Sequence, residues 1–163
     1  VPLRRLRGAL ALKKPNKMDS RNRDAKLIFA DLEALGADPC RLVVVGSHRL
    51  DPADTADAIV EQWDAIVGLV GFRPRRIITG CAPVGAEKAA RLAAKRLTGK
   101  LAVVFHRPEL VHSVKNAEMF MNISLAKAGD AGLVLATGSK LTHQNLRGSL
   151  WEWDKKTYQV EVG

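Results

Sequence analysis

The chain has 163 residues, a net charge of +9 at pH 7, and a composition that is 47% hydrophobic and 26% charged. That length fits one domain of the usual roughly 100–200 residues, large enough to build a core without metal or disulfide staples. No run approaches the roughly 18–20 apolar residues of a membrane span, and no secretory signal is visible at the N-terminal end of the sequence.

The only cysteines, Cys40 and Cys81, lack CxxC spacing. With no secretory signal they point to a reducing, cytoplasmic setting and no membrane partner.

The positive charge is uneven. Residues 1–26 hold nine Lys/Arg against Asp19 and Asp24, whereas residues 27–40 are net acidic through Asp31, Glu33 and Asp38. Such a basic arm offers a surface for a nucleic acid or a protein partner; a solvated tail is the competing reading.

Residues 1–18 show no sustained period and read as an extension. Leu27, Ile28, Leu32 and Leu35 fall on one helical face, with Gly36 and Pro39 as a stop, which predicts a helix over about 20–35. Residues 1–40 therefore read as a basic N-terminal arm and helix, and 41–163 as the main domain.

From Arg41 strands and helices alternate. Leu42-Val43-Val44-Val45 is an uninterrupted apolar run, as for a strand buried on both faces. Asp51-Pro52 supplies an N-cap and a proline for the first helical position. Ala56, Ile59, Val60, Trp63, Ile66, Val67 and Val70 then trace one amphipathic helix.

Ile77-Ile78-Thr79 is the second strand, followed by a glycine-containing loop and a helix carrying Ala86, Ala89, Ala90, Ala93 and Leu97. Leu101 to Phe105 is the third strand, and Val114, Ala117, Phe120, Met121 and Leu125 mark the helix after it. Leu133 to Ala136 is the fourth strand, Leu146, Leu150 and Trp153 mark a last helix, and Tyr158 to Val162 is a fifth strand.

Strands joined through helices imply right-handed crossovers. The expected fold class is α/β, a Rossmann-like three-layer sandwich of about five mostly parallel strands with helices on both faces, plus the N-terminal helical extension.

Ligands of open parallel sheets bind outside the carboxyl ends of the strands, where the strand order switches. Three loops at that edge carry unusual residues. The first is Gly46-Ser47-His48-Arg49, where Arg49 can pair with a phosphate or a surface carboxylate.

The second runs from Gly80 through Cys81, Ala82, Pro83 and Val84 to Gly85. Gly80 lets the chain turn, and Gly85 lets a helix start without a Cβ in the way. Free amides at that start favour an anion, although a tight βα turn would need the same glycines.

The third loop is Gly138-Ser139-Lys140-Leu141-Thr142-His143, whose hydroxyls and cation can hold phosphate oxygens or merely cap a helix.

Other chemistries lack their signatures. Ala86 and Glu87 follow Gly85 where a P-loop needs Lys and Ser/Thr, and no GxGxxG follows Val45. No cofactor signature is present, and His48, His106, His112 and His143 have no metal-ligand spacing. Trp63, Trp151 and Trp153 read as packing residues.

Taken in order, these loops resemble the SLOG superfamily, the Rossmann-like group that includes LOG phosphoribohydrolases and DprA proteins, and within it the YspA-type branch. Gly46-Ser47-His48-Arg49 is similar to that branch's Gly-Ser-Arg element with one insertion. Gly80 through Glu87 resembles its Gly-Gly-Ala-x-Gly-Ala-Asp segment, one residue longer. Lys115-Asn116-Ala117-Glu118-Met119 is similar to Arg-Asn-x-x-Met, and Gly138 through Thr142 corresponds loosely to Gly-x-Ser-x-Gly-Thr.

The resemblance covers about residues 41–162. It implies a nucleotide or nucleotide-derived phosphate ligand held by Gly46, Ser47, Arg49, Gly80, Ala82, Gly85, Lys115, Asn116, Gly138, Ser139 and Thr142.

The departures from the family bear on catalysis. In LOG enzymes a Gly-Thr-x-x-Glu element supplies the carboxylate that supports N-glycosidic cleavage; here Asn145 stands at that position and Leu141 replaces the glycine. A neutral amide cannot offset the charge of an oxocarbenium-like transition state. Lys115 replaces the usual Arg and loses bidentate geometry.

The expected function is ligand binding without LOG-type hydrolysis and with no catalytic residue assigned, as a sensor or a module of a larger system. The alternatives are a nucleic-acid-binding protein of DprA-like logic, a degenerate nucleoside-phosphate N-glycosidase, and a structural module of a multi-protein assembly in which residues 1–40 dock on a partner and the ligand site is vestigial. Among partners, a second copy in a homo-oligomer is also expected.

Overall fold

The computed structural model describes residues 6–11, 40–97, 103–105, 122, 125–137, 148, 150 and 154–162. Its centre is a six-stranded sheet of β1 (Leu6–Ala11), β2 (Arg41–Gly46), β3 (Arg76–Gly80), β4 (Val103–Phe105), β5 (Ala131–Ala136) and β6 (Lys156–Val162). The spatial order is β1-β6-β5-β2-β3-β4. All neighbouring pairs from β6 across to β4 are parallel, and β1 runs antiparallel to β6 at the far edge. This is a Rossmann-like α/β sheet.

The apolar runs explain which strands lie at the centre. β2 and β5 are buried along almost their whole length, because both of their faces are covered by helices. Alternate residues serve opposite faces. Leu42, Val44, Ile77, Leu133 and Leu135 join one core cluster with Ala56, Ile59, Trp63, Ile66, Ala86, Ala90 and Ala93. Val43, Val45, Ile78 and Val134 join a second cluster with Leu125, Ala126, Ala128 and Leu150. The sheet is thus the middle of three layers, as the sequence pattern implies.

The first helical layer holds α1 (Pro52–Glu61), α2 (Trp63–Val70) and α3 (Gly85–Leu97). The Asp51 carboxylate accepts from the Asp54 amide at 2.8 Å and caps α1, with Pro52 behind it. The single helix expected over this stretch is interrupted at Gln62, whose backbone (φ −105°, ψ 16°) departs from helical values. The apolar stripe continues across the break, since Ile59, Trp63, Ile66 and Val70 all reach the core.

α1 packs beside α3, where Ala86, Ala89, Ala90 and Ala93 keep the contact thin. On the opposite layer lie Leu125, Ala126, Ala128 and Leu150. Helical residues 122, 125, 148 and 150 fall within the two later helices expected from the sequence, and 126–128 carry the first of them past Leu125.

The N-terminal reading is corrected in one respect. Residues 6–11, taken as part of an irregular extension, form β1 and pair with Tyr158–Val162, with a bulge between Arg7 and Ala9. The partner strand supplies the reason. Tyr158 and Val160 are buried and β-prone, so the edge of β6 accepts a segment of weak propensity of its own. The helix expected over about 20–35 lies outside the described residues. No described helix is long and apolar enough to cross a membrane.

Candidate functional site

The strand order reverses at β2. From there the chain moves outward to β3 and β4 on one side, and later to β5 and β6 on the other. The helices after β2 and β3 pack on one face, while helical residues 125–128 and Leu150 pack on the other. The chain therefore departs to opposite faces at the carboxyl ends of β2 and β5, the place where open α/β sheets generally form a ligand crevice.

Ser47 stands at this point. Its amide donates to the Leu135 carbonyl of β5 at 2.9 Å, its carbonyl accepts from the Ala86 amide of α3 at 3.0 Å, and its hydroxyl accepts from the Arg49 amide at 3.1 Å. One residue therefore ties the β2 loop to the neighbouring strand and to the start of α3.

Two glycines make this junction possible. A Cβ on Gly46 would run into the Leu135 carbonyl and the Ala86 side chain. Gly85 has φ +67°, and a Cβ there would run into the Ser47 carbonyl and the His48 backbone. Only glycine allows so close an approach at a left-handed position. Gly85, expected to open the helix, does so. Gly80 instead ends β3 in the extended backbone of the strand, so the turn comes later than expected.

The β3–α3 loop is held by a residue that sequence reasoning missed. Arg91 donates from Nη1 to the Gly80 carbonyl at 2.7 Å and from Nη2 to the Ala82 carbonyl at 2.6 Å. Its planar fork spans both carbonyls. The available signal was an arginine on the otherwise alanine-rich face of α3. Thr79 makes a second inward tie, from its buried hydroxyl to the Val44 carbonyl at 2.5 Å.

The start of α3 is less open to an anion than its glycines imply. The Ala86 amide is already used by Ser47, and Glu87 in the first turn keeps its side chain only 7% exposed. Its Oε2 lies 3.5 Å from His48 Nε2, on a ring that is 52% exposed. This carboxylate complements the positive end of the helix from within.

Arg49 is the residue of the β2 loop that brings a permanent positive charge to this edge. Arg49 is exposed, and no ion pair involves it among the described residues.

Of the expected ligand contacts, Gly46, Ser47, Arg49, Gly80, Ala82 and Gly85 are thus gathered at one edge by β2, β3 and the start of α3. Ala82 is buried and can offer only backbone groups. Lys115, Asn116, Gly138, Ser139 and Thr142 lie outside the described residues, as do Leu141, Asn145, Trp151 and Trp153. Trp63 is a core residue.

Cys40 and Cys81 are free thiols, and no group of His, Cys, Asp or Glu among the described residues is placed to hold a metal ion. No protein-family model, no curated protein and no solved structure matches this chain.

Proposed function

We propose that this chain binds a nucleotide-derived, phosphate-bearing ligand in the crevice between the carboxyl ends of β2 and β5, as a binding module and not as a hydrolase. The observation that carries the reading is the Ser47 junction at the reversal of strand order, where Gly46 and Gly85 bring the β2 loop against α3. Such a switch point is the general binding position of open α/β sheets. The resemblance to SLOG proteins supports the choice of ligand class, and Asn145 in place of a carboxylate argues against turnover.

Charge distribution orients the ligand. The buried Glu87 carboxylate, 3.5 Å from His48, disfavours a phosphate on its side of the junction. In this reading the phosphate lies on the Arg49 side.

A thermal-shift panel of nucleoside monophosphates, diphosphates and dinucleotides tests the proposal. A ligand at about 100 times its Kd stabilises the fold by about 2.7 kcal/mol. Arg49→Ala should weaken binding roughly tenfold or more, as expected for a lost charge-assisted contact. No shift with any member at millimolar concentration overturns the reading.

A further inference from the structure

The solvent side of the α1–α3 layer carries two parallel stripes of opposite charge. Asp54, Asp57, Glu61 and Asp64 recur along α1 and the start of α2 at helical spacing, which places them in one row. Lys88, Lys95 and Arg96 lie on α3, where the sole carboxylate, Glu87, is buried.

The stripes run side by side because both helices follow parallel strands and pack against each other, with Arg96 bridging to Asp57 at 2.7 Å. The basic row is also apolar. Val84 (46%) and Leu92 (36%) are the large hydrophobics exposed among the described residues; Leu92 lies one turn beyond Lys88 on α3, and Val84 lies just before the helix start.

We propose that this face is the interface of a symmetric homodimer, in which the acidic row of each copy lies on the basic row of the other. A two-fold axis running along the helices, between α1 and α3, places α1 of one copy over α3 of its partner with the helices parallel. It forms both contacts at once, as an isologous interface requires.

The second copy is the occupant because the complement of each row is the other row of the same chain. An external polyanion would match Lys88 and Lys95 but meet repulsion from the acidic row, in which Asp57 and Asp64 are paired with Arg96 and Arg73. Helices at 1.5 Å per residue and about 10 Å apart give a face of roughly 500 Å² per copy. That is near the low end for a specific interface and fits a weak, concentration-dependent dimer. The net charge of +9 opposes association only within the screening length of about 8 Å at physiological salt.

Sedimentation velocity over a concentration series reaching about 1 mM tests the proposal on the full chain. The unaltered protein should dimerise. Lys88→Glu with Lys95→Glu turns the basic row net acidic, and Asp54→Lys with Glu61→Lys cancels the net charge of the acidic row, so each double variant alone should be monomeric. An equimolar mixture should regain dimers, because the introduced lysines meet the introduced glutamates at one contact and the unaltered rows meet at the other. Circular dichroism of each variant confirms that it is folded.

An unaltered protein that stays monomeric throughout overturns the proposal. So does either variant dimerising like the parent, or a mixture that stays monomeric. Loss of single-stranded DNA binding by the Lys88/Lys95 variant of a monomeric parent would assign the face to a polyanion instead.

Discussion

A three-glycine series separates backbone strain from steric closure at the Ser47 junction. Gly68 lies in α2 with nothing near its added Cβ; Gly71 ends that helix at φ +87°, also in open space. Gly85 combines φ +67° with the Ser47 carbonyl and the His48 backbone against its added Cβ. Gly68→Ala should therefore stabilise by about 0.4–1 kcal/mol, through the unfolded chain and helix propensity.

Gly71→Ala should cost about 1–2 kcal/mol for a left-handed non-glycine residue. Gly85→Ala carries that same cost plus about 1–3 kcal/mol for displacing backbone that cannot rotate aside. Its total of about 2–5 kcal/mol is a large part of a typical stability of roughly 5–15 kcal/mol. At about 2–4 °C per kcal/mol for a chain of this size, its Tm should fall by roughly 4–20 °C. Urea denaturation and calorimetry of the four proteins decide the matter. If Gly85→Ala costs no more than Gly71→Ala, the close approach of the β2 loop to α3 is not what requires the glycine.

Two further predictions concern residues that hold the elements around the site and at the opposite edge. Arg91→Ala should cost about 2–4 kcal/mol in urea denaturation, since two charge-assisted bonds to carbonyls are lost. Arg91→Lys should recover only part of this, because one ammonium cannot span Gly80 and Ala82 as the guanidinium does; full recovery would contradict the bridging role.

Lys155 donates to the Ala126 and Lys127 carbonyls at 2.8 and 3.1 Å. Burial holds its ammonium below the usual 10.5, with Asp130 opposing that shift and Arg41 adding to it. Between the lowered value and 10.5 the unfolded chain binds more protons than the folded one, so Lys155 favours folding increasingly as pH rises through that window. The stability difference between the unaltered protein and Lys155→Met should grow in that direction. A difference that stays constant as pH rises to 10.5 would contradict it.

The parts of the fold legible in the sequence are those governed by local pattern. Val43 to Val45 and Leu133 to Ala136 are uninterrupted because helices cover both faces. Asp51-Pro52 marks the start of α1 through its own cap.

Where the deciding partner is distant, the signal disappears. β1 owes its strand to the edge of β6, more than 140 residues away in sequence. The break at Gln62 leaves the apolar stripe intact, so periodicity passes over it. At the site, Gly85 announces a special backbone, but the close approach at Gly46 depends on β5 being its neighbour. Likewise, the capping of Ala86 by Ser47 and the burial of Glu87 arise only once α3 lies against the β2 loop.

The most direct test of the proposed binding site is a backbone-amide NMR titration of the unaltered protein with AMP, with inorganic phosphate as a control. The account predicts saturable shifts concentrated at Ser47, His48, Arg49, Gly85 and Ala86, larger with AMP than with phosphate. An absence of shifts at millimolar AMP would contradict it. So would shifts confined to the opposite edge of the sheet, around Arg41, Asp130 and Lys155, where the Asp130 amide donates to the Arg41 carbonyl and the Arg41 amide to the Asp130 carboxylate.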